Sequence, residues 1–247
     1  MKRTLLLVLA LIASGCADAG QSSLCENVSE ESPLEDLRPC AEQGYADAQT
    51  GLGMMYGFGE GVPEDDVEAA RWYRLAAEQG DATAQFILGF MYANGEGVPQ
   101  DYAETFRWYH LAADQGFAEA QFNLGILYQT SEGGAQDHAA AFRWHHLAAD
   151  QGHAPAQVNL GVMYGLGEGV PEDYVLSYMW HKVAIQGMEV PQGELIISGL
   201  EEVMTREQIA EAQRLIISGL EELMTREQIA EAQRMSREWL EAHPPAN

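Results

Sequence analysis

The chain has 247 residues, with 38 Asp and Glu against 13 Lys and Arg, a formal net charge of −25, 47% hydrophobic residues and three cysteines. That length suits one or two globular domains, and the ordinary hydrophobic content argues against compositional disorder. The acidity argues against nucleic acid and anionic membrane surfaces as partners, because phosphate contacts need clustered Lys and Arg.

Lys2 and Arg3 precede the apolar run 5–12, which is too short to span a bilayer but suits the middle of a secretory signal. The run ends in Ala13-Ser14-Gly15-Cys16, which resembles the bacterial lipobox. The resemblance implies a lipoprotein signal peptide over 1–15, cleavage before Cys16, and lipid attachment there. Such a chain is anchored to a membrane without spanning it. Ala17, where an Asp would mark retention, resembles the pattern of exported lipoproteins sorted to the outer membrane and facing the periplasm. Residues 26–36 carry five carboxylates and few large apolar residues, and 16–36 are expected to form a solvated acidic tether. In an oxidising compartment Cys25 and Cys40 either pair as a disulfide or stay as two free thiols, and spacing leaves both open.

Sliding the chain against itself exposes a repeat. Residues 45–80, 81–116 and 117–152 align without gaps, and 153–187 is a fourth copy one residue shorter. The second and third copies share 22 of 36 positions, which makes the repeat plain. In each copy a small-residue segment such as Ala82-Thr83-Ala84-Gln85 leads into Leu88-Gly89 and Met91-Tyr92. Ala84, Leu88, Met91 and Tyr92 stand at i, i+4, i+7 and i+8, which makes one helical face apolar. Gly95-Glu96-Gly97-Val98-Pro99 then turns the chain, and a second helical pattern carries Phe106, Trp108, Tyr109, Ala112 and Ala113. Gly44, Gly80, Gly116, Gly152 and Gly187 stand where a helix C-terminus favours positive φ. Each unit is thus a helical hairpin with two apolar faces that only stacking can bury. Residues 37–44 read as a degenerate leading half-repeat. Trp72, Trp108, Trp144 and Trp180 recur at one position and are assigned to packing.

The unit with Ala-x-x-x-Leu-Gly-x-x-Tyr, Gly-x-Gly-Val-Pro-x-Asp and Trp-x-x-x-Ala-Ala-x-Gln-Gly resembles the Sel1-like repeat, a relative of the tetratricopeptide repeat. The resemblance covers about residues 40–187 and implies an all-α fold, a right-handed α/α solenoid of stacked hairpins acting as an adaptor. It supplies no catalytic residue. Two departures stand out. Residues 129–135, Gln-Thr-Ser-Glu-Gly-Gly-Ala, replace the usual turn in the third unit, and the residue lost between Trp180 and Gly187 is expected to shift the register of the last second helix.

Over 188–247, expected to be C-terminal capping helices, residues 195–214 and 215–234 are identical except for Val203 against Leu223. In one straight helix a twenty-residue shift is roughly 5.6 turns and rotates the second copy roughly 200°. A break is therefore expected near Ser198-Gly199 or Ser218-Gly219, with Thr205–Gln208 and Thr225–Gln228 resembling capping boxes. One copy is read as the cap of the stack and the other as an extension, with a self-pairing helix as the rival account.

Chemical motifs fail one by one. A Ser-x-x-Lys site is ruled out because the mature chain's lysine is Lys182, three residues after Met179. The string Gly57-x-Gly59-x-Gly61 lacks the Gly-Lys of a phosphate loop. His110, His138, His145 and His146 form no His-Glu-x-x-His pattern and are read as solvent-facing or core-edge, with no metal or cofactor expected. What remains is a recognition surface. In hairpin solenoids the first helices line the concave side, where positions that vary between repeats meet a partner. Asn123 and Asn159 are candidates to grip a peptide backbone, and Ile87, Phe90 and Ile126 to supply apolar contact. The acidity favours a basic protein or peptide partner through electrostatic steering. The reading is a non-enzymatic, lipid-anchored scaffold of the bacterial envelope. Its rivals are a hydrolase acting on cell-wall or β-lactam substrates and a self-associating structural lipoprotein.

Overall fold

The computed structural model describes residues 25, 28–131, 134–187 and 191–221, with backbone alone at 186, 187, 191–196 and 217–221. Cys16 and the second C-terminal copy beyond Glu221, including the Thr225–Gln228 pair, lie outside the described residues. Eleven helices and no strands occur among the described residues: α1 Leu34–Glu42, α2 Ala46–Phe58, α3 Asp66–Glu78, α4 Ala82–Asn94, α5 Tyr102–Asp114, α6 Ala118–Thr130, α7 His138–Asp150, α8 Ala154–Leu166, α9 Tyr174–Gly187, α10 Pro191–Val203 and α11 Arg206–Glu221. The chain divides into two compact units, Met1–Ala120 and Gln121–Asn247, with the division inside α6. Within each unit consecutive helices pack on one another, the arrangement of a helical solenoid.

The hairpins form because the same local signals recur. In the first unit α2 and α4 end on left-handed Gly59 and Gly95 (φ 68° and 75°), whose amides return to the Met55 and Met91 carbonyls. Asp65 and Asp101 cap α3 and α5, each accepting from the backbone N–H groups two and three residues on. Gly97 permits a close approach between hairpins: a Cβ there would lie 2.1 Å from the Asp66 carbonyl oxygen, at the start of the preceding second helix. Two alanine-rich cores result. One joins Ala69, Tyr73, Ala76, Ala84, Leu88 and Trp108, and the other joins Leu37, Cys40, Ala48, Leu52 and Trp72. Trp72 and Trp108 thus pack inside, whereas Trp144 and Trp180 are half-buried, Trp180 against the core of the second unit.

The second core draws in more of the N-terminal segment than the expected tether allows. Cys25 and Val28 are buried beside Leu37, α1 begins at Leu34, and the Glu30 carbonyl oxygen would lie 2.7 Å from a Cβ at Gly51. A solvated tether therefore does not describe 28–36. A disulfide joins Cys25 to Cys40, with 5.3 Å between their Cα atoms, and Cys40 stands in the leading half-repeat where Ala76 stands in the next.

The second unit repeats the scheme with substitutions. Ser131 (φ 61°) takes the left-handed place that glycine holds elsewhere, and Asp137 still caps α7 through Ala140 N, so the divergent third turn keeps its landmarks. In the fourth repeat, Asp173 caps α9, Ser177 donates to the Gly161 carbonyl and Ala184 is fully buried, as Ala148 is. The expected register shift is absent from the packed part, because the lost residue falls after Ala184 and α9 simply runs on through Gly187 in helical conformation. Gly187 therefore does not play the positive-φ role of Gly44, Gly80, Gly116 and Gly152.

The C-terminal break also differs from expectation. Both Ser198-Gly199 and Ser218-Gly219 lie inside helices, and the chain bends at Met204-Thr205. There Thr205 Oγ1 accepts from Gln208 N at 3.2 Å while Gln208 Oε1 accepts from Thr205 N at 2.8 Å. The reciprocal cap decides, because a Ser-Gly pair weakens a helix by only about 1 kcal/mol and packing readily overrides that. Ile197, Met204, Ile209 and Ala212 of the first copy bury against Tyr178 of α9.

Candidate functional site

Two recurring polar choices fix each hairpin. The glutamines of the small-residue segments are buried, with Gln49 Nε2 donating to the Ala41 carbonyl at 3.1 Å and Gln85 Nε2 to Ala77 at 3.0 Å. Their own Oε1 atoms accept from Gln79 and Gln115 at 2.7 and 2.8 Å, and Gln121–Gln151 and Gln157–Ala149 repeat the pattern in the second unit. This amide ladder explains the glutamines as structural.

The charge is divided between helix sets. No Lys or Arg occurs in α2, α4, α6 or α8, whereas Arg71, Arg74, Arg107, Arg143 and Lys182 all lie on second helices. Several of these cations are held locally. Arg71 and Arg107 pair with Glu68 and Glu104 at 3.0 and 3.1 Å, and the Arg107 guanidinium lies 4.3 Å from the Trp108 ring centroid. Turns between helices are acidic, with Glu60, Glu64, Glu96, Glu168 and Glu172.

In the first unit the first-helix side opens a cleft of about 310 Å³ between α2, α3 and α4. Ile87 and Phe90 line it, so these two sequence candidates do come together. They are joined by Phe58 and Phe86, and Phe58 and Phe90 are 73% and 45% exposed, which leaves two large apolar rings facing water. Gly57 opens the floor by having no side chain, and Asp66 and Glu96 are the charged residues of the lining. Sequence reading missed Phe58, Asp66 and Glu96. The available signal was that Phe58, Asn94, Thr130 and Leu166 differ at one repeat position.

The other candidates lie in the second unit, apart from that cleft. Asn123 and Ile126 are half-buried on α6. Asn159 Nδ2 lies 3.3 Å from His145 Nε2, which places its amide within a contact inside the protein. His145 corrects the expectation of a core-edge histidine: it is fully buried, its Nε2 lies 3.0 Å from Gln129 Oε1, and its ring abuts Gly125 where Tyr73 and Tyr109 abut Gly53 and Gly89. Burial, with His153 nearby, pushes its pKa down to about 4, so the ring is neutral at ordinary pH. Burial likewise lowers the pKa of His181, against the opposing pull of the Ser177 carbonyl. Among the described residues, no group of three or more His, Cys, Asp or Glu could hold a metal ion, and no helix is long and apolar enough to cross a membrane.

Comparison with known proteins fits this geometry. A crystal structure of a protective antigen present in uropathogenic Escherichia coli strains and displaying an SLR fold is 32% identical, with a TM-score of 0.70 over 87% of this chain. The chain spans 44% of that protein's length. A Sel1 repeat protein from Oxalobacter formigenes is 27% identical, with a TM-score of 0.59, over 86% of this chain and 76% of its own. No curated protein matches. The Sel1 repeat pattern matches residues 46–81, 82–117, 118–153 and 154–187 in succession, and the chain belongs to the Sel1 repeat family, whose members generally serve as protein-interaction scaffolds.

Proposed function

We propose that this protein is a non-enzymatic scaffold that receives a basic partner segment in the cleft beside α2 and α4. The observation that carries this reading is the pairing of Phe58 and Phe90, exposed together, with a lining charged only by Asp66 and Glu96. An aromatic or aliphatic anchor on the partner would fill the apolar floor, and Lys or Arg beside it would meet the carboxylates. The absence of Lys and Arg from all four first helices supports a cationic partner, because no fixed positive charge on those helices opposes its approach. Steering of this kind acts mainly on the association rate and weakens as salt rises.

The lipobox-like Ala13-Ser14-Gly15-Cys16 supports the further reading that the body is held by lipid at Cys16 on the periplasmic face of the outer membrane, within reach of envelope proteins and peptidoglycan-associated factors. Crosslinking in intact cells followed by purification tests the scaffold. Wild type is compared with Phe58→Asp plus Phe90→Asp, two exposed substitutions that leave the core alone. The double variant is expected to recover at least tenfold less partner while keeping its helical circular dichroism. Equal recovery would reject the cleft. Fatty-acid labelling that persists in Cys16→Ala would reject the anchor.

A further inference from the structure

We propose that the apolar groove on α9, which seats residues 195–214, is a site with two occupants, and that residues 215–234 are the second. The groove is defined by what fills it. Ile197, Met204, Ile209 and Ala212 are all buried against Tyr178, Leu200 packs at the margin, and Glu201 Oε1 accepts from Tyr178 Oη at 2.8 Å. Residues 215–234 place Ile217, Leu220, Glu221, Met224, Ile229 and Ala232 at the same spacings. The two copies differ only at Val203 against Leu223, and Val203 is 63% exposed, so the difference falls outside the groove. The residues of the reciprocal cap that sets the bend, Thr205 and Gln208, recur in the sequence as Thr225 and Gln228.

Over the duplicated residues the groove contacts are the same and equal in free energy, so the connection is the main term that discriminates between the registers. The first copy reaches the groove through residues 188–190, and the second would reach it through 188–210. Loop-closure entropy grows as three halves of the logarithm of loop length, which favours the first copy about 20-fold. The second register is therefore a minor state of roughly one molecule in twenty, and it becomes the main state when the first copy is damaged or drawn away by another protein. In the exchange α9 stays covered while residues 191–210 are released.

Lys182 makes the exchange readable. It and Lys2 are the chain's lysines, and its Nζ lies 5.4 Å from the Tyr178 ring whose hydroxyl meets Glu201. Zero-length carbodiimide coupling on the monomer fraction should join Lys182 to Glu201 in the main register and to Glu221 in the minor one. Val203 and Leu223 tell the two peptides apart by mass. Wild type should give the Glu221 product at about one-twentieth of the Glu201 product. Ile197→Asp plus Ile209→Asp should make Glu221 the main product with α9 still protected from hydrogen exchange. Ile217→Asp plus Ile229→Asp should abolish the Glu221 product and leave the Glu201 product unchanged. The quadruple variant, which uncovers α9, sets the baseline. The proposal is overturned if the variant of the first copy gives no Glu221 product and loses protection as the quadruple variant does. It is equally overturned if the minor product survives in the variant of the second copy.

Discussion

Replacing Gly89 by alanine adds one methyl group to α4, and the structure sets two opposing effects. Alanine is favoured over glycine in a helix interior by about 1 kcal/mol. A Cβ at position 89, however, would lie 2.6 Å from Cδ1 and 2.8 Å from Cε1 of Tyr109, with Trp108 Cβ at 3.4 Å. Tyr109 has little room to yield, since it is 3% exposed and stacks on Phe86 at 5.7 Å. Helices α4 and α5 must then move apart, and overpacking of this kind costs about 1–3 kcal/mol. With contacts this short the upper end applies, so the net loss is about 2 kcal/mol. Gly57→Ala on α2 is the control. Its Cβ would meet nothing nearer than Ala69 Cβ at 3.8 Å and Tyr73 Oη at 4.0 Å, so the helix preference acts alone and stability rises by about 0.5–1 kcal/mol. Urea unfolding followed by helical circular dichroism measures both variants beside wild type. Shifts in the same direction, or a Gly89→Ala protein as stable as Gly57→Ala, would refute the close-approach account of the recurring Leu-Gly pair.

Three further outcomes follow from the packing. His145 has a pKa of about 4 in the folded protein against an ordinary 6.5, so between those values the unfolded chain binds more protons and stability is lost as pH falls. The loss is about 2.5 kcal/mol at pH 4.5, and unfolding curves in which His145→Phe showed the same pH dependence as wild type would count against it. Replacing Cys25 and Cys40 by alanine opens a link of sequence separation 15 and should lower stability by about 3 kcal/mol, whereas a change under about 1 kcal/mol in oxidising buffer would show that the disulfide adds little. Gln85→Leu removes the donor to the Ala77 carbonyl and the acceptor for Gln115, at a cost of about 1–2 kcal/mol; unchanged stability in chemical denaturation would remove the amide ladder from the account of the fold.

The sequence by itself determined the elements of this protein that rest on local chemistry. A repeat of small residues, a Gly-x-Gly turn and a capping Asp specifies a hairpin wherever it occurs, and the lack of cations on the first helices can be counted from the letters alone. Thr205 and Gln208 were legible for the same reason, since a capping box spans only three residues. Tertiary structure alone decided what depends on which side chain meets which. The Ser198-Gly199 pair looks like a break but is helical, because burial of its helix against Tyr178 outweighs a weak local preference. His145 reads as solvent-facing or core-edge beside His146 but is fully buried, because its helix position is the one that faces Gly125. Phe58 could be seen to vary between repeats, but its partnership with Phe90 across two helices appears only once α2 and α4 are set side by side. Helix periodicity assigns a residue to a face, and only packing decides which neighbour covers that face.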